Sequence, residues 1–173
     1  MISCVGADED AQTMQRFLTQ EGFNTNSLQI HPQHPTGTVA VTLDAKGNAS
    51  YEIVQPVAWD HIEITPENAA LVKSADVFVF GSLVARQNPS KQTLTTLIDK
   101  ARFSVFDINL RPPHLHWDTL NAFFQKSNFI KCNDEELTYL LDQYNCAETT
   151  LENQLRALLE HTHGEGICVT LGA

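Results

Sequence analysis

The stretch SVFDINLRPPHLHWDTLNAFFQKSNFIKCNDEE, residues 104–136 of a 173-residue chain, decides the fold. It holds two short apolar runs, 104–108 and 129–132, and polar residues follow each of them. Short runs rich in β-branched and aromatic residues are typical of buried strands, and prolines cannot continue the first one. Ligands of open α/β sheets bind at the carboxyl ends of the strands, so the polar residues there are the first candidates for a site.

Two groups of polar residues occupy these predicted strand ends. Asn109 and Arg111 follow the first run, whereas Lys131, Asn133 and Glu136 lie in or just after the second. Asn133 is a favourable helix N-cap and Glu136 stands three residues on, as in a capping box, so a structural role is one interpretation. A ligand site is the other interpretation, and the pattern by itself leaves both open.

Taken together, the motifs F-D-x-N-x-R at 106–111 and K-x-N-x-x-E at 131–136, with Trp117 between them, resemble those of the ribokinase-like (PfkB) carbohydrate kinases. The segment V-A-W-D at 57–60 is similar to the fructokinase-like branch of that family. The resemblance implies ATP-dependent phosphorylation of a sugar hydroxyl, with Mg²⁺ as cofactor. Two alternatives stay open: a kinase of another sugar, such as ribose or 2-keto-3-deoxygluconate, and a non-catalytic remnant that binds nucleotide or sugar.

The resemblance implies a sugar and phosphate site at the ends of two strands. Gly81 and Ser82 end the apolar run 76–80 and are expected to lie beside the sugar. Asn109 and Arg111 are expected near the sugar and the transferred phosphate. Of these, Arg111 is the expected anion ligand, because a guanidinium can bind an anion with two hydrogen bonds.

The resemblance also implies roles around the nucleotide. Asn133 and Glu136 are expected to act on Mg²⁺ or phosphate through water, because Mg²⁺ keeps much of its hydration, and no direct metal ligand is expected. Lys131 is expected to contact the nucleotide. The V-T-x-G pattern at 169–172 adds Thr170 and Gly172 to the expected nucleotide-binding residues.

We expect an α/β fold, with a three-layer, Rossmann-like, mostly parallel sheet flanked by helices, in a single partial domain over residues 1–173. The nearly all-apolar run 76–80 predicts a central parallel strand that is covered on both faces. Asn88 is the predicted cap of a helix at 89–102.

Residues 36–44 and 50–54 alternate in character around turn residues at 45–49, which predicts a β-hairpin. In a ribokinase-like protein this hairpin, inserted at about 34–56, would be a lid over the sugar. An isolated two-stranded ribbon is marginal in water, so we expect a homodimer through the lid or through exposed sheet edges.

The resemblance covers the middle of the family's domain only, and we therefore expect a domain that is truncated at both ends. The family's catalytic base lies in a G-A-G-D motif, which is expected beyond Ala173. The chain alone is accordingly expected to show negligible turnover.

Composition excludes several classes of protein. The chain has 11 Lys and Arg against 21 Asp and Glu, a net charge of −10, and no basic run, so a nucleic-acid partner is not expected. Without an apolar stretch near ~20 residues or a signal-peptide pattern, we expect a cytoplasmic protein with no membrane contact.

The four cysteines show no C-x-x-C spacing and are expected to be buried reduced thiols. The pairs His114 with His116 and His161 with His163 have no third ligand nearby in sequence, which disfavours a metal site at either pair.

Overall fold

The computed structural model describes residues 1–44, 46–114 and 116–172, which form eight strands, six α-helices and two short 3₁₀ helices. The strands are β1 (Ser3–Gly6), β2 (Leu28–His31), β3 (Val39–Leu43), β4 (Ala49–Ile53), β5 (Phe78–Gly81), β6 (Ser104–Asp107), β7 (Phe129–Asn133) and β8 (Gly166–Thr170). The α-helices are α1 (Glu9–Gln20), α2 (Pro66–Ser74), α3 (Asn88–Ile98), α4 (Trp117–Lys126), α5 (Asp134–Gln143) and α6 (Leu151–Leu159). The 3₁₀ helices are Ala58–His61 and Leu83–Ala85.

The described strands form a four-stranded parallel sheet in the order β5-β6-β7-β8, a parallel pair β1-β2 and an antiparallel hairpin β3-β4. The predicted α/β fold with a mostly parallel sheet and an added hairpin is therefore confirmed. In the four-stranded sheet, Gly81 lies opposite Asp107, Asp107 opposite Lys131, and Asn133 opposite Thr170. This register places these predicted site residues towards the carboxyl ends of the strands of one sheet.

A single apolar cluster joins this sheet to the helices that connect its strands. Phe106 and Ile130 of the two inner strands are fully buried, and Phe123 of α4 meets Phe106 edge to face at 5.9 Å between ring centroids. Leu140 of α5 and Leu158 of α6 are also fully buried in the cluster. Aromatic side chains bury large areas in such contacts, so the cluster fixes the strand ends on which the site is built.

β5 differs from its prediction. It lies at the edge of the described four-stranded sheet rather than at its centre, and Val79 is 62% exposed. A cavity of about 320 Å³ is lined both by β5 and by Ile2 and Ser3 at the start of β1. The apolar run therefore identified a strand correctly but overestimated its coverage, because neighbours cannot be read from a run of apolar residues.

Three smaller expectations also need correction. The N-cap of α3 is Gln87, without a side-chain cap bond, whereas Asn88 is the first helical residue. β2, which pairs with β1, has no counterpart among the predicted elements. Cys168 is exposed and Cys146 is half-buried, so only Cys4 and Cys132 fit the expectation of buried thiols.

The hairpin lies within the predicted insertion. β3 and β4 pair in register from Val39 opposite Ile53 to Leu43 opposite Ala49, although Ala45 of the predicted turn lies outside the described residues. Alternate residues face the same side of a strand. Val41 and its partner Tyr51 therefore share a face, and they are 56% and 71% exposed.

None of the helices in the described residues combines the length and the apolar character needed to cross a bilayer.

Candidate functional site

An ion pair connects the carboxyl ends of β6 and β7. The Lys131 Nζ atom lies 2.9 Å from Asp107 Oδ1, as expected for residues opposite each other on adjacent parallel strands. The hydrogen bond from Lys131 to Asp107 raises the pKa of the lysine. Both side chains remain partly exposed, so the ammonium group can contact solvent or a ligand while it holds Asp107.

Glu136 forms a buried tie between the two predicted groups of site residues. Its Oε2 accepts a hydrogen bond from the backbone N–H of Asn133 at 3.0 Å, and the Asn133 side chain accepts one from the N–H of Glu136 at 2.8 Å. The predicted capping box is thus confirmed. The other oxygen, Oε1, accepts a hydrogen bond from the N–H of Leu110 at 2.7 Å, in the loop after β6. Glu136 therefore positions that loop as well as capping α5.

The segment after β6 turns sharply at Asn109, whose φ is 46°. Asparagine tolerates this left-handed region better than most residues, since its short polar side chain can bond locally. The hydroxyl of Ser82 donates to the Asn109 carbonyl at 3.3 Å, which ties the end of β5 to the turn. A Cβ at Gly81 would lie 3.3 Å from the Asp107 carbonyl, so glycine allows β5 and β6 to approach closely here.

Arg111 lies on the surface of the loop after β6. Its side chain is exposed, and its Nη1 donates to the carbonyl of Leu110 at 2.8 Å. The N–H of Leu110 donates to Glu136, so the backbone of this one residue contacts both charged side chains. Arg111 also lines a hollow of about 570 Å³ together with the hairpin residues Val39 and Tyr51. Arg111 therefore borders a space between the loop after β6 and the hairpin.

Thr170 is the last residue of β8 and Gly172 follows it, beside the start of α5. Thr170 lies opposite Asn133, and its hydroxyl donates to the Cys132 carbonyl at 3.4 Å. A Cβ at Gly172 would lie 3.8 Å from the Asp134 carboxylate. The positive end of the α5 dipole lies at this point, and the first turn of α5 carries the carboxylates Asp134, Glu135 and Glu136.

The sequence did not predict a buried ion pair near the hairpin, between Arg86 and Asp60. Arg86 donates from Nε to Asp60 Oδ1 at 2.6 Å and from Nη2 to Oδ2 at 2.8 Å, and its guanidinium lies 3.9 Å from the centroid of the Trp59 ring. Arg86 Nη2 also donates to the Val54 carbonyl at the end of the hairpin. The signal in the sequence was the acid of the V-A-W-D segment, because a buried carboxylate needs a partner.

The amino-acid sequence of this chain is similar to those of known carbohydrate kinases. A family model described as "pfkB family carbohydrate kinase" matches residues 1–173. A fructokinase from Vibrio alginolyticus is 30% identical over 154 residues, which cover 83% of this chain and 50% of that protein. The chain spans about half the length of the curated relatives it matches first.

The fold is similar to those of solved carbohydrate kinase structures. The crystal structure of a sugar kinase from Pyrococcus horikoshii in complex with ATP has a TM-score of 0.72 and 26% identity, covering 83% of this chain and 50% of that one. The crystal structure of the fructokinase from Vibrio cholerae O395 has a TM-score of 0.77 and 24% identity, covering 99% of this chain and 60% of that one.

Proposed function

The chain belongs to the pfkB family of carbohydrate kinases, and we propose that its strand-end cluster binds ATP and a sugar for transfer of a phosphoryl group to a sugar hydroxyl. Fructose is the proposed acceptor, since similar proteins from Vibrio alginolyticus and Salmonella typhimurium carry the name fructokinase. ATP is the proposed donor, since a similar sugar kinase was crystallised with ATP.

One observation carries the proposal: the motifs at 106–111 and 131–136 meet at the carboxyl ends of two adjacent strands of one parallel sheet. Asp107 and Lys131 pair across adjacent strands, and Glu136 bonds to Leu110 across the same two segments. Phosphoryl transfer depends mainly on positioning and on stabilising charge, and both require groups that are held rigidly with respect to one another. The ties between the motifs provide that rigidity.

We assign the roles as follows. Arg111 faces the hollow shared with the hairpin, where its free donors would bind the transferred phosphate, and Asn109, Gly81 and Ser82 would lie on the sugar side.

Lys131, Thr170 and Gly172 would contact the nucleotide phosphates beside the start of α5. Asn133 and Glu136 would act by positioning, since the Asn133 side chain and both oxygens of Glu136 already make protein hydrogen bonds.

Mg²⁺ has no direct carboxylate ligand in this proposal. Mg²⁺ prefers carboxylate, carbonyl and water oxygens, but Asp107 is paired with Lys131, and each oxygen of Glu136 already accepts a backbone hydrogen bond. These two carboxylates fit poorly as ligands, so any contact of theirs with the ion would be mediated by water. For the same reason neither suits the role of general base, and we propose that the chain of 173 residues by itself binds ligands but turns over very slowly.

The hairpin supports a further part of the proposal, a homodimer. Val39, Val41 and Leu43 of β3 are all more than half exposed, with Tyr51 of β4 on the same face. Contiguous apolar surface of this kind marks an interaction site, and a second copy would cover it symmetrically.

Isothermal titration with ATP in Mg²⁺, and separately with fructose, tests the proposal. We expect both to bind, with Arg111→Ala weakening phosphate-dependent affinity at least about tenfold. Arg102→Ala is a matched control, because Arg102 is an exposed arginine that precedes β6 instead of following it. Failure of ATP to bind, together with failure of fructose, ribose and 2-keto-3-deoxygluconate, would overturn the proposal. Brisk ADP formation from ATP and fructose would refute the slow turnover alone.

A further inference from the structure

Three histidines from separate segments converge beside the start of the hairpin. His31 ends β2, His34 lies in the loop that follows, and His61 ends the 3₁₀ helix Ala58–His61. One ring nitrogen of each lies within 4.8 Å of those of the other two. The ring centroids are separated by 4.1 Å to 5.0 Å, and all three side chains are half-buried. No other group of three His, Cys, Asp or Glu residues in residues 1–44, 46–114 and 116–172 has this spacing.

The backbone holds these positions independently of the rings. Thr36 donates its N–H to Asp8 at 2.7 Å, which anchors the loop carrying His34 to the start of α1. Ala58 donates its N–H to the Pro35 carbonyl at 2.8 Å, which anchors the 3₁₀ helix carrying His61 to the same loop. Hydrogen bonds from the main chain therefore hold together the segments that carry His34 and His61.

The neighbouring carboxylate of Asp60 and thiol of Cys4 are not available as further metal ligands. Asp60, next to His61, is taken by Arg86 through two hydrogen bonds. Glu63 lies close enough to Cys4 to contribute, after burial, to raising the pKa of that thiol to about 11, so Cys4 is not a thiolate at neutral pH. The three imidazole rings remain as the groups that can bind a metal ion.

We propose that His31, His34 and His61 bind a divalent transition metal ion of the Zn²⁺ class through one nitrogen each, with water in the fourth position. Imidazole is a preferred ligand of Zn²⁺, Co²⁺ and Ni²⁺, whereas Mg²⁺ and Ca²⁺ prefer oxygen. A tetrahedral site with Zn–N bonds of ~2.0 Å brings ligand nitrogens to about 3.3 Å from one another. Small changes in side-chain torsion close the observed spacing to that value, and the stack of His34 on His61 opens as they occur.

The proton balance gives the site a specific signature. The Nδ1 atom of His31 accepts hydrogen bonds from the backbone N–H groups of Gln33 at 3.1 Å and His34 at 3.0 Å. The ring proton is then on Nε2, and a metal ion can bind Nε2 as a neutral imidazole only if that proton moves to Nδ1. A protonated Nδ1 cannot accept the two backbone hydrogen bonds, so both break when the metal binds. The amide signals of Gln33 and His34 should therefore report occupancy directly.

The test is a titration of the 173-residue chain with Zn²⁺, in which calorimetry measures binding and NMR monitors the backbone amide signals. We expect one equivalent to bind, large shifts at Gln33 and His34, and a higher melting temperature in Zn²⁺, since a ligand of the folded state stabilises it. Co²⁺ should give the visible absorption of a tetrahedral site, and Mg²⁺ should produce none of these changes.

Matched variants separate this site from the other histidines. His34→Ala and His61→Ala should each lower Zn²⁺ affinity at least about tenfold. The double variant His116→Ala/His163→Ala removes two exposed histidines elsewhere and should leave affinity unchanged. Circular dichroism establishes that each variant folds. If both single variants fold and keep wild-type affinity, or if the double variant loses it, the proposal is overturned.

Discussion

The Oε1 atom of Glu136 accepts a hydrogen bond from the backbone N–H of Leu110 at 2.7 Å, across 26 residues of sequence. The same carboxylate bonds to the N–H of Asn133, so the start of α5 and the loop after β6 share one buried side chain. Glu136 therefore joins these two segments by hydrogen bonds to the backbone of each.

Glu136→Gln tests this tie. The amide keeps only one acceptor oxygen, so one of the two backbone N–H groups loses its partner, and we expect a loss of about 1–3 kcal/mol in the free energy of unfolding. Urea denaturation measures the change. Glu135→Gln, exposed in the same helical turn, should change stability by less than about 0.5 kcal/mol. Equal effects of the two variants would show that the tie does not contribute to stability.

Lys131→Met tests the assignment of the ion pair to nucleotide binding. The pair is partly exposed, so its loss should change stability by no more than about 1 kcal/mol. Affinity for ATP in Mg²⁺ should fall at least about tenfold, because the ammonium group is the phosphate contact in the proposal. Lys126→Met is the control, since Lys126 forms a similar exposed pair with Asp99, at 2.7 Å, at the end of α4. A Lys131 variant that binds ATP like the Lys126 variant would contradict the assignment.

Local signals made much of the sheet predictable. β6, β7 and the capping box at Asn133 follow from short apolar runs and from side chains three residues apart, which are interactions within one segment. That the two motifs share an edge follows from strand order in a parallel sheet, which the resemblance supplied. The roles of the predicted site residues in ligand binding stay predictions.

Contacts between distant segments were not predictable. Arg86 and Asp60 are 26 residues apart, and nothing in either segment names the other as its partner. The three histidines at 31, 34 and 61 likewise meet only because β2 and the 3₁₀ helix Ala58–His61 pack against β1. The closely spaced histidine pairs that begin at His114 and His161 do not belong to the cluster.

Arg86→Met tests the buried ion pair. The side chains of Arg86 and Asp60 are 1% and 0% exposed, so removing the guanidinium leaves a buried carboxylate without its charge partner. We expect a loss of about 3–5 kcal/mol in the free energy of unfolding, measured by urea denaturation. The double variant Arg86→Met/Asp60→Asn removes both charges and should recover part of that loss. A single variant as stable as the wild type would show that the pair is dispensable.

Val41→Lys tests the proposed dimer. Val41 lies on the apolar face of the hairpin, and a charge there should abolish self-association in sedimentation equilibrium. Thr42→Lys places the same charge on the opposite face of the same strand and should leave the dimer intact. Wild-type protein that sediments as a monomer, or equal loss in both variants, would contradict a dimer through this face.

Asp8 should make stability depend on pH in the acid range. Its carboxylate accepts hydrogen bonds from the hydroxyl and the N–H of Thr36 and from the N–H of Ala11, and these bonds, the Thr36 hydroxyl first, lower its pKa below the ordinary 3.8. A carboxyl whose pKa is lowered by folding contributes stability at pH values above 3.8, and that stability is lost as the pH falls through the lowered pKa. The wild type should therefore lose stability more steeply below pH 3.8 than Asp8→Asn, in urea denaturation repeated at a series of pH values. Asp10→Asn, exposed in the same helical turn, should follow the wild-type curve, because its carboxylate lacks the Thr36 contacts. If stability falls with pH in the same way in the wild type and in Asp8→Asn, the hydrogen bonds between Asp8 and Thr36 do not hold the loop between β2 and β3 to α1.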